Sequence, residues 1–347
     1  MLSGTDMSTH IDKDATKNEA PAAYQENFSQ GMFMNAVEEK IARVLGEELP
    51  AECEKPEILI DAARHLCLAK GAKRVRPRLV SLYGEAMGVS PHELLDISVA
   101  AEMIHAASLL HDDVVDESNL RRGIETVNSK WGNKVAVLAG DLVLSLGFML
   151  LNKYVPDIHR TAVRVVDAMT RAAMLEVQAR GCLDFKLDGW FFIAEGKTAK
   201  LFSWCGQAVG FYAGNEEVAK RFEKCGKHLG IAFQIADDLR DLQGTDPGKE
   251  RFSDIRNFNP SYPILKAVSI DGMLHQKIGE SWKNPELSKD EVNELGEAVL
   301  STGVADLTIQ ALEREIEQAI DALGPYQNVS GTTEIVNWTK LLLSSVK

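Results

Sequence analysis

The chain has 347 residues, of which 45% are hydrophobic and 26% are charged, and this composition excludes a fibrous protein or a chain disordered along its whole length. Its formal net charge of −13 argues against a general nucleic-acid-binding protein, because such proteins need a basic face to neutralise phosphates. A ligand that carries phosphate would have to be bound locally, by metal ions or by a few basic side chains.

The first 25 residues are polar and lack the apolar core of a signal peptide. We therefore predict a mobile tail over residues 1–25, followed by one domain over residues 26–347. The sequence contains no run of about 18 consecutive apolar residues, so we expect a cytoplasmic protein without a transmembrane segment. No CxxC pair occurs, and this favours free thiols in a reducing compartment. The five cysteines are Cys53, Cys67, Cys182, Cys205 and Cys225.

Long helices are predicted for most of this domain. No proline occurs between Pro91 and Pro156, and the span is rich in good helix formers. The stretch ISVAAEMIHAASLLHDD repeats apolar residues at helical spacing, whereas alternating strand patterns are missing. Ser90 is a candidate N-cap, and Ser288 with Glu291 three residues later resembles a capping box. One all-α domain is the simplest interpretation.

The first charged segment in chain order is GAKRVRPRL, where Lys73 and Arg76 lie three residues apart. Such a segment could bind phosphate, or it could be a basic surface turn.

The second charged segment is LLHDDVVDESNLRRG, residues 109–123. Asp112 and Asp116 are four residues apart and share one face of a helix, with His105 seven residues upstream on the same stripe. Like charges at this spacing repel, and a cation bound between the two aspartates would relieve the repulsion. Alternatively, the aspartates form an exposed acidic helix end with surface ion pairs, and His105 only packs against its neighbours.

A second acidic cluster, FQIADDLRDLQG, contains Asp237, Asp238 and Asp241 and repeats the four-residue spacing. Two clusters of hard oxygen ligands suit Mg²⁺, which completes its coordination with water and substrate phosphates. The guanidinium groups of Arg121 and Arg122 could then bind the outward oxygens of a diphosphate. In EGKTAKLF, residues 195–202, a lysine and a threonine follow a glycine; they could add to this site or mark an ordinary helix start.

Taken together, these segments resemble the trans-isoprenyl diphosphate synthases, also called the polyprenyl synthetase family. The matching segments run in the family's order, and the similarity covers about residues 30 to 340. They are GAKRVRP (71–77), EMIHAASLLHDDVVDESNLRRG (102–123), GNKVAVLAGDLVLS (132–145), EGKTAKLF (195–202) and FQIADDLRD (233–241).

The resemblance implies an isoprenoid-synthase bundle of long helices around a central catalytic cavity, usually as a homodimer. It implies a prenyltransferase that condenses isopentenyl diphosphate head-to-tail (1'-4) with a farnesyl, geranyl or dimethylallyl diphosphate. About three Mg²⁺ ions per active site would be expected by analogy. The metal ligands implied are Asp112, Asp116, Asp237 and Asp241, the last through water, with Asp113 and Asp238 in support.

The resemblance also divides the basic residues by substrate. Those assigned to isopentenyl diphosphate are Lys73, Arg76, His105 and Arg122. Those assigned to the allylic diphosphate are Arg121, Lys197 and Lys249. Thr198 and Gln234 would line the reacting end and steady the developing allylic cation.

Product length in this family depends on residues five, eight and eleven positions before the first aspartate. Here these are Ala107, Ile104 and Ala101, and the neighbouring Ser108 is also small. An aromatic plug is absent, so we expect a product of about thirty carbons or more, of the type used as a quinone side chain. A twenty-carbon geranylgeranyl product is the alternative, because Ile104 narrows the tunnel.

The sequence departs from the family pattern in GKERFSDIRNFNPSYP, residues 248–263. Lys249 and Asp254 match, but Asn259 replaces a lysine that helps hold the allylic diphosphate in the family. This keeps open a weakly active partner subunit of the same fold. A terpene cyclase is a further alternative, but the complete second aspartate cluster and the Lys73 and Arg76 pair oppose it.

Overall fold

A computed structural model of the chain describes residues 30–46, 57–121, 123–245, 250–284 and 286–347. The predicted tail over residues 1–25 lies outside the described residues, as do Cys53, Arg122 and Lys249. Nearly all described elements are helices, which confirms the all-α prediction.

The described residues form sixteen α-helices. They are α1 (Gln30–Val44), α2 (Glu57–Cys67), α3 (Val75–Ala86), α4 (Leu95–Val115), α5 (Val127–Trp131), α6 (Asn133–Leu151), α7 (Pro156–Ala179), α8 (Leu187–Ala194), α9 (Lys200–Tyr212), α10 (Glu216–Gln243), α11 (Ser253–Arg256), α12 (Tyr262–Ile270), α13 (Gly272–Ser281), α14 (Lys289–Ser301), α15 (Val304–Leu323) and α16 (Thr332–Ser344). A π-helical turn, Glu195–Ala199, joins α8 to α9, and a 3₁₀ turn, Gly324–Tyr326, follows α15.

One small hairpin follows α4. Its strands are β1 (Leu120–Arg121) and β2 (Ile124–Glu125), which pair antiparallel with Arg121 opposite Ile124. Gly123 has φ +78°, a conformation that glycine adopts without steric cost. Arg121 therefore lies on β1, beyond the C-terminal end of α4.

The core is built around α4 and α10. One side of α4 packs into a cluster with α3, α7, α9 and α10, and its other side packs into a cluster with α1, α2 and α6. Helix α10 lies between α9 and α15. A β-carbon at Gly226 would lie 2.5 Å from the Phe202 carbonyl oxygen, so glycine permits this close approach of α10 to α9.

Helix α6 has a dual character. An 18-residue stretch of this 19-residue helix has a mean hydropathy of 1.9, so by length and composition the helix could cross a membrane. Yet 44% of it is buried, and its Gly147 packs against Met103 and Ile104 of α4. A helix in the core of a helical bundle can have the same length and composition.

Two helix caps were predicted, with different outcomes. The capping box of Ser288 and Glu291 at the start of α14 is confirmed. Ser90 is not an N-cap, because a turn over residues 91–94 precedes α4 and the Ser90 N–H donates to the Glu93 carboxylate at 3.1 Å. Among the described cysteines, all four thiols are free, as expected.

Candidate active site

The first aspartate cluster lies at the C-terminal end of α4. Asp112 and Asp113 are in its last turn, and Asp116 is the residue that caps it. Asp113 is only 1% exposed and binds the Arg121 guanidinium, whose Nε lies 2.8 Å from Oδ1 and 3.1 Å from Oδ2. Asp113 therefore anchors the β1–β2 hairpin to α4.

Asp112 lies where several charges meet. Its Oδ2 is 3.9 Å from Nζ of Lys197, which also binds Glu176 of α7. Burial raises the pKa of the Asp112 carboxyl, and the Lys197 ammonium partly opposes this. The negative charges of Glu176 and Asp116 raise the same pKa further. Three carboxylates thus repel one another around a single ammonium.

This crowding of carboxylates fits a site for a divalent cation. Among the described residues, no three acidic, histidine or cysteine side chains are already arranged around one point as metal ligands. Mg²⁺ does not require such a cage, because it keeps several waters and uses one or two carboxylates together with substrate phosphates. A divalent ion near Asp112 would relieve the repulsion that raises its pKa.

Asp116 is bound by an arginine that sequence analysis did not select. The Arg180 Nη2, just beyond the end of α7, donates to Asp116 Oδ1. Both side chains remain about one-third exposed, so the pair lies at the rim of the site. An arginine therefore occupies the carboxylate that the resemblance assigns to a metal ion.

The π-helical turn lies between the two aspartate clusters. Lys197 reaches toward Asp112, while Thr198 Oγ1 donates to Gln234 Oε1 on α10 at 2.9 Å. The turn packs tightly on α7, because a β-carbon at Gly196 would lie 2.5 Å from Cβ of Ala172. Short π segments within helices are frequent at functional sites, since the extra residue redirects side chains.

Lys197 remains charged despite its burial. Burial alone would lower the pKa of its ammonium, but the carboxylates of Asp112 and Glu176 raise this pKa above its usual value. A lysine held in this form keeps a full positive charge to offer an anionic ligand.

In the second cluster, Asp238 is the most enclosed carboxylate. Its Oδ1 accepts from Gln234 Nε2, and its Oδ2 accepts from Trp190 Nε1 and from the Tyr262 backbone N–H, each at 2.9 Å. Burial raises the pKa of Asp238 to about 7 against the opposing effect of these donors. Thr198, Gln234, Asp238 and Trp190 thus form one hydrogen-bonded chain.

Asp237 and Asp241 have different surroundings. The Asp237 side chain is 37% exposed and lies 3.8 Å from Nη1 of Arg240. Asp241 is buried and accepts hydrogen bonds from the backbone N–H groups of Ser253 and Asp254, both at 3.1 Å, and from the Ser253 hydroxyl. Asp241 therefore helps to fold the segment that begins α11.

Asn259, which stands where the family pattern has a lysine, belongs to the same hydrogen-bond network as Asp241 and Asp254. Its Nδ2 donates to Asp254 Oδ1 at 2.9 Å. Burial raises the pKa of Asp254 well above its usual value, and the charges of Asp241 and Asp238 raise it further. The amide of Asn259 thus satisfies a buried carboxyl where the family pattern has a lysine.

The basic set assigned to isopentenyl diphosphate is described in part. Lys73 is exposed, and Arg76 is half-buried with its guanidinium carbon 5.2 Å from the centre of the Phe202 ring. His105 is half-buried on α4. The assignments of Arg122 and Lys249 fall outside the described residues.

The residues expected to set product length are all on α4. Ala101 and Ile104 belong to the cluster that includes α3, α7 and α9, whereas Ala107 belongs to the cluster that includes α1, α2 and α6. Ser108 is half-buried and donates to the His105 carbonyl at 2.8 Å.

Glu176, Arg180 and Trp190 were missed by sequence analysis. A cleft lined by Glu176, Lys197, Gln234, Asp238, Trp190 and Asn259 brings two of them together with predicted site residues. No motif spacing links these residues to the aspartates. The only available signal was the presence of charged or polar groups on apolar helices.

We predict that Trp190→Phe lowers the free energy of unfolding by about 1–3 kcal/mol, because Asp238 loses a buried donor. Trp282→Phe is the matched control: Trp282 is also buried, and within the described residues its Nε1 donates to no acceptor. Urea denaturation of both variants measures the difference. Equal losses in the two variants would contradict a role for the Trp190 hydrogen bond.

Comparisons with known proteins point to one family. The polyprenyl synthetase family model matches residues 56–299, more than half of the chain. The chain is 31% identical over 281 residues to octaprenyl diphosphate synthase of Escherichia coli, covering 76% of this chain and 83% of that protein. It is 28% identical to geranylgeranyl diphosphate synthase of Sulfolobus acidocaldarius, with 86% and 91% covered.

Solved structures agree with these sequence matches. The crystal structure of a decaprenyl diphosphate synthase from Rhodobacter capsulatus superposes with a TM-score of 0.82 at 27% identity, covering 91% of this chain and 97% of that one. The predicted family is therefore confirmed. The chain belongs to the polyprenyl synthetase family and is a prenyltransferase that elongates isoprenoid diphosphates.

Proposed function

We propose that this protein condenses isopentenyl diphosphate with an allylic diphosphate in a Mg²⁺-dependent reaction and releases diphosphate. The observation that carries the proposal is the π-helical turn, because it presents Lys197 to Asp112 of the first aspartate cluster and Thr198 to Gln234, which in turn donates to Asp238 of the second. A single diphosphate between the clusters would then meet both acidic groups and the lysine. We also infer that residues 26–347 form one catalytic domain.

The acidic residues of this site would hold the metal. Asp112, Asp116, Asp237 and Asp241 are the proposed ligands, with about three ions per site, and Asp241 would act through water because three donors of Ser253 and Asp254 already bind its carboxylate. When bound, Mg²⁺ supplies positive charge that stabilises the departing diphosphate. Lys197, Arg121 and Lys249 add hydrogen-bond donors to the same group.

The chain's own groups would then guide the carbon chemistry. Lys73, Arg76, His105 and Arg122 hold the diphosphate of isopentenyl diphosphate so that its alkene faces the allylic carbon. As the allylic carbon–oxygen bond breaks, the oxygens of Thr198 and Gln234 face the developing cation. The alkene forms the new carbon–carbon bond, and the proton lost from the adduct passes to the released diphosphate.

The first test is incubation of purified protein with Mg²⁺, radiolabelled isopentenyl diphosphate and farnesyl, geranyl or dimethylallyl diphosphate. We expect labelled polyprenyl products after dephosphorylation. Asp112→Ala and Asp237→Ala should each lower turnover by a factor of about 10² or more, since each removes a carboxylate that would hold the Mg²⁺ needed to stabilise the departing diphosphate. Asp167→Ala, at an exposed carboxylate on α7, is the control and should remain active.

Circular dichroism would establish that the variants remain folded. No incorporation with any of the three primers by the unmodified protein would contradict the proposal and favour the partner-subunit alternative. Unchanged turnover in either cluster variant would remove the metal assignment.

We propose a product of thirty carbons or more. Ala101 and Ala107 leave space along α4, although Ile104 between them also supports the twenty-carbon alternative. Known relatives include both classes: the Escherichia coli protein is named an octaprenyl synthase and the Sulfolobus protein a geranylgeranyl synthase.

We expect Ala107→Phe to shorten the product, because an aromatic ring would block a growing chain close to the reacting end. Ala101→Phe, nearly two helical turns deeper, should stop the chain later. Chromatography of dephosphorylated products measures both lengths. The tunnel has been misplaced if Ala107→Phe leaves the product unaltered while Ala101→Phe shortens it.

We also propose a homodimer that acts in the cytoplasm. The outer face of α6 exposes Val137, Leu138 and Met149, which a second copy could cover while the inner face packs on α4. Detergent-free preparations should sediment at twice the monomer mass, and Leu138→Glu should shift them toward the monomer. Recovery in the membrane fraction, or a monomer at micromolar concentration, would contradict this proposal.

A further inference from the structure

Arg74 lies within the basic segment of residues 71–77 but is buried, unlike its neighbours. Only 6% of its surface is exposed, whereas Lys73 is exposed and Arg76 is half-buried. Its backbone has φ +46° and ψ +42°, a left-handed conformation that is uncommon for a residue with a side chain. The three cations of this segment therefore have different surroundings.

The Arg74 guanidinium is bound from several sides. Its Nε and Nη2 donate to the two carboxylate oxygens of Glu38 on α1, at 2.6 and 2.9 Å. Its Nη1 donates to Glu102 of α4 at 2.8 Å, and Nη2 also donates to the Cys67 carbonyl at the end of α2, at 2.5 Å. One side chain thus ties three helices to the residue that precedes α3.

These bonds leave Arg74 little capacity to bind a ligand. A guanidinium has five N–H donors, and the four hydrogen bonds described above use most of them. A buried carboxylate or guanidinium without its partner is strongly unfavourable, so Arg74 and Glu102, which are both buried, require each other. The positive charge of Arg74 is balanced by carboxylates of the protein itself.

The position of the network matters for the basic residues around it. Glu102 precedes His105 by three residues on α4, so the two side chains lie on the same face. Arg74 immediately follows Lys73 and precedes Arg76 by two residues. Fixing Arg74 to Glu102 therefore fixes the start of α3 relative to the His105 face of α4.

We propose that Arg74 is a positioning residue for the diphosphate of isopentenyl diphosphate: through Glu38, Glu102 and the Cys67 carbonyl it holds Lys73 and Arg76 in register with His105. It does not contact the substrate. The inference rests on the proposed function, because it takes these three residues as the diphosphate-binding set. A small displacement of such groups weakens binding and orientation more than it weakens the fold.

The experiment measures the dissociation constant of isopentenyl diphosphate by calorimetry and the KM values of isopentenyl and farnesyl diphosphate in turnover. Arg74→Met should raise the constants for isopentenyl diphosphate about tenfold, while the KM of farnesyl diphosphate changes less than about twofold. Arg74→Lys, which keeps the charge but lacks the planar fork that binds both oxygens of Glu38, should give an intermediate value.

Glu38→Gln provides a variant that should fold, because the Glu38 side chain is 42% exposed. It should raise the KM of isopentenyl diphosphate about threefold through loss of one arm of the network. Arg171→Met is the control: it removes an arginine from an exposed ion pair on α7 and should leave both KM values unchanged.

The outcomes separate the two levels of inference. If the unmodified protein does not bind isopentenyl diphosphate, the proposed function fails, and the positioning role fails with it. If the unmodified protein binds but Glu38→Gln and Arg74→Lys leave its affinity unchanged, only the positioning role is overturned. Equal increases in both KM values would likewise overturn it, since that pattern indicates a general loss of structure.

Discussion

The site depends on the balance between crowded carboxylates and the few cations beside them. All six aspartates of the two clusters have a basic group or hydrogen-bond donors beside them. In the first cluster these are Lys197 near Asp112, Arg121 on Asp113 and Arg180 on Asp116. In the second they are Arg240 near Asp237, Trp190 and its neighbours on Asp238, and the N–H groups of residues 253 and 254 on Asp241. Like charges so close together would destabilise the fold if left uncompensated. In a chain of net charge −13, such compensation has to be local.

The helical framework serves this balance through geometry. Helix α4 brings the first cluster to its C-terminal end, where the unsatisfied carbonyl groups do not favour anions and where positive charge is stabilised. Helix α10 carries the second cluster within its last two turns. The π-helical turn spans the gap, and the tight packing of Gly196 on α7 keeps Lys197 beside Glu176.

Much of this could be predicted from sequence, because the signals were local. Apolar periodicity predicted the long helices, and the four-residue spacing placed Asp112 and Asp116 on one face. The cap at Ser288 was recognised because its partner Glu291 is only three residues away. Local signals have limits. Serine is a common N-cap residue, but a turn over residues 91–94 separates Ser90 from the start of α4.

What sequence analysis missed depends on contacts between distant segments or on very short elements. Two-residue strands show no alternation, so the β1–β2 hairpin gave no signal. The residues EGKTA have the composition of an ordinary helix, and only packing on α7 distinguishes the π-helical turn. The partners of Arg74 lie 36 and 28 residues away, so no motif identifies them. The role of Asn259 also became interpretable only beside Asp254.

The Arg180–Asp116 pair has a thermodynamic consequence. Under the proposed function, an ion that coordinated Asp116 would compete with the Arg180 guanidinium for this carboxylate. Breaking the ion pair costs free energy, and this cost weakens metal binding. A diphosphate that binds the released guanidinium would recover part of the cost. Metal and diphosphate would therefore bind cooperatively, each raising the affinity for the other by the same factor. A single arginine at the rim would thus link binding of the ion to binding of the substrate.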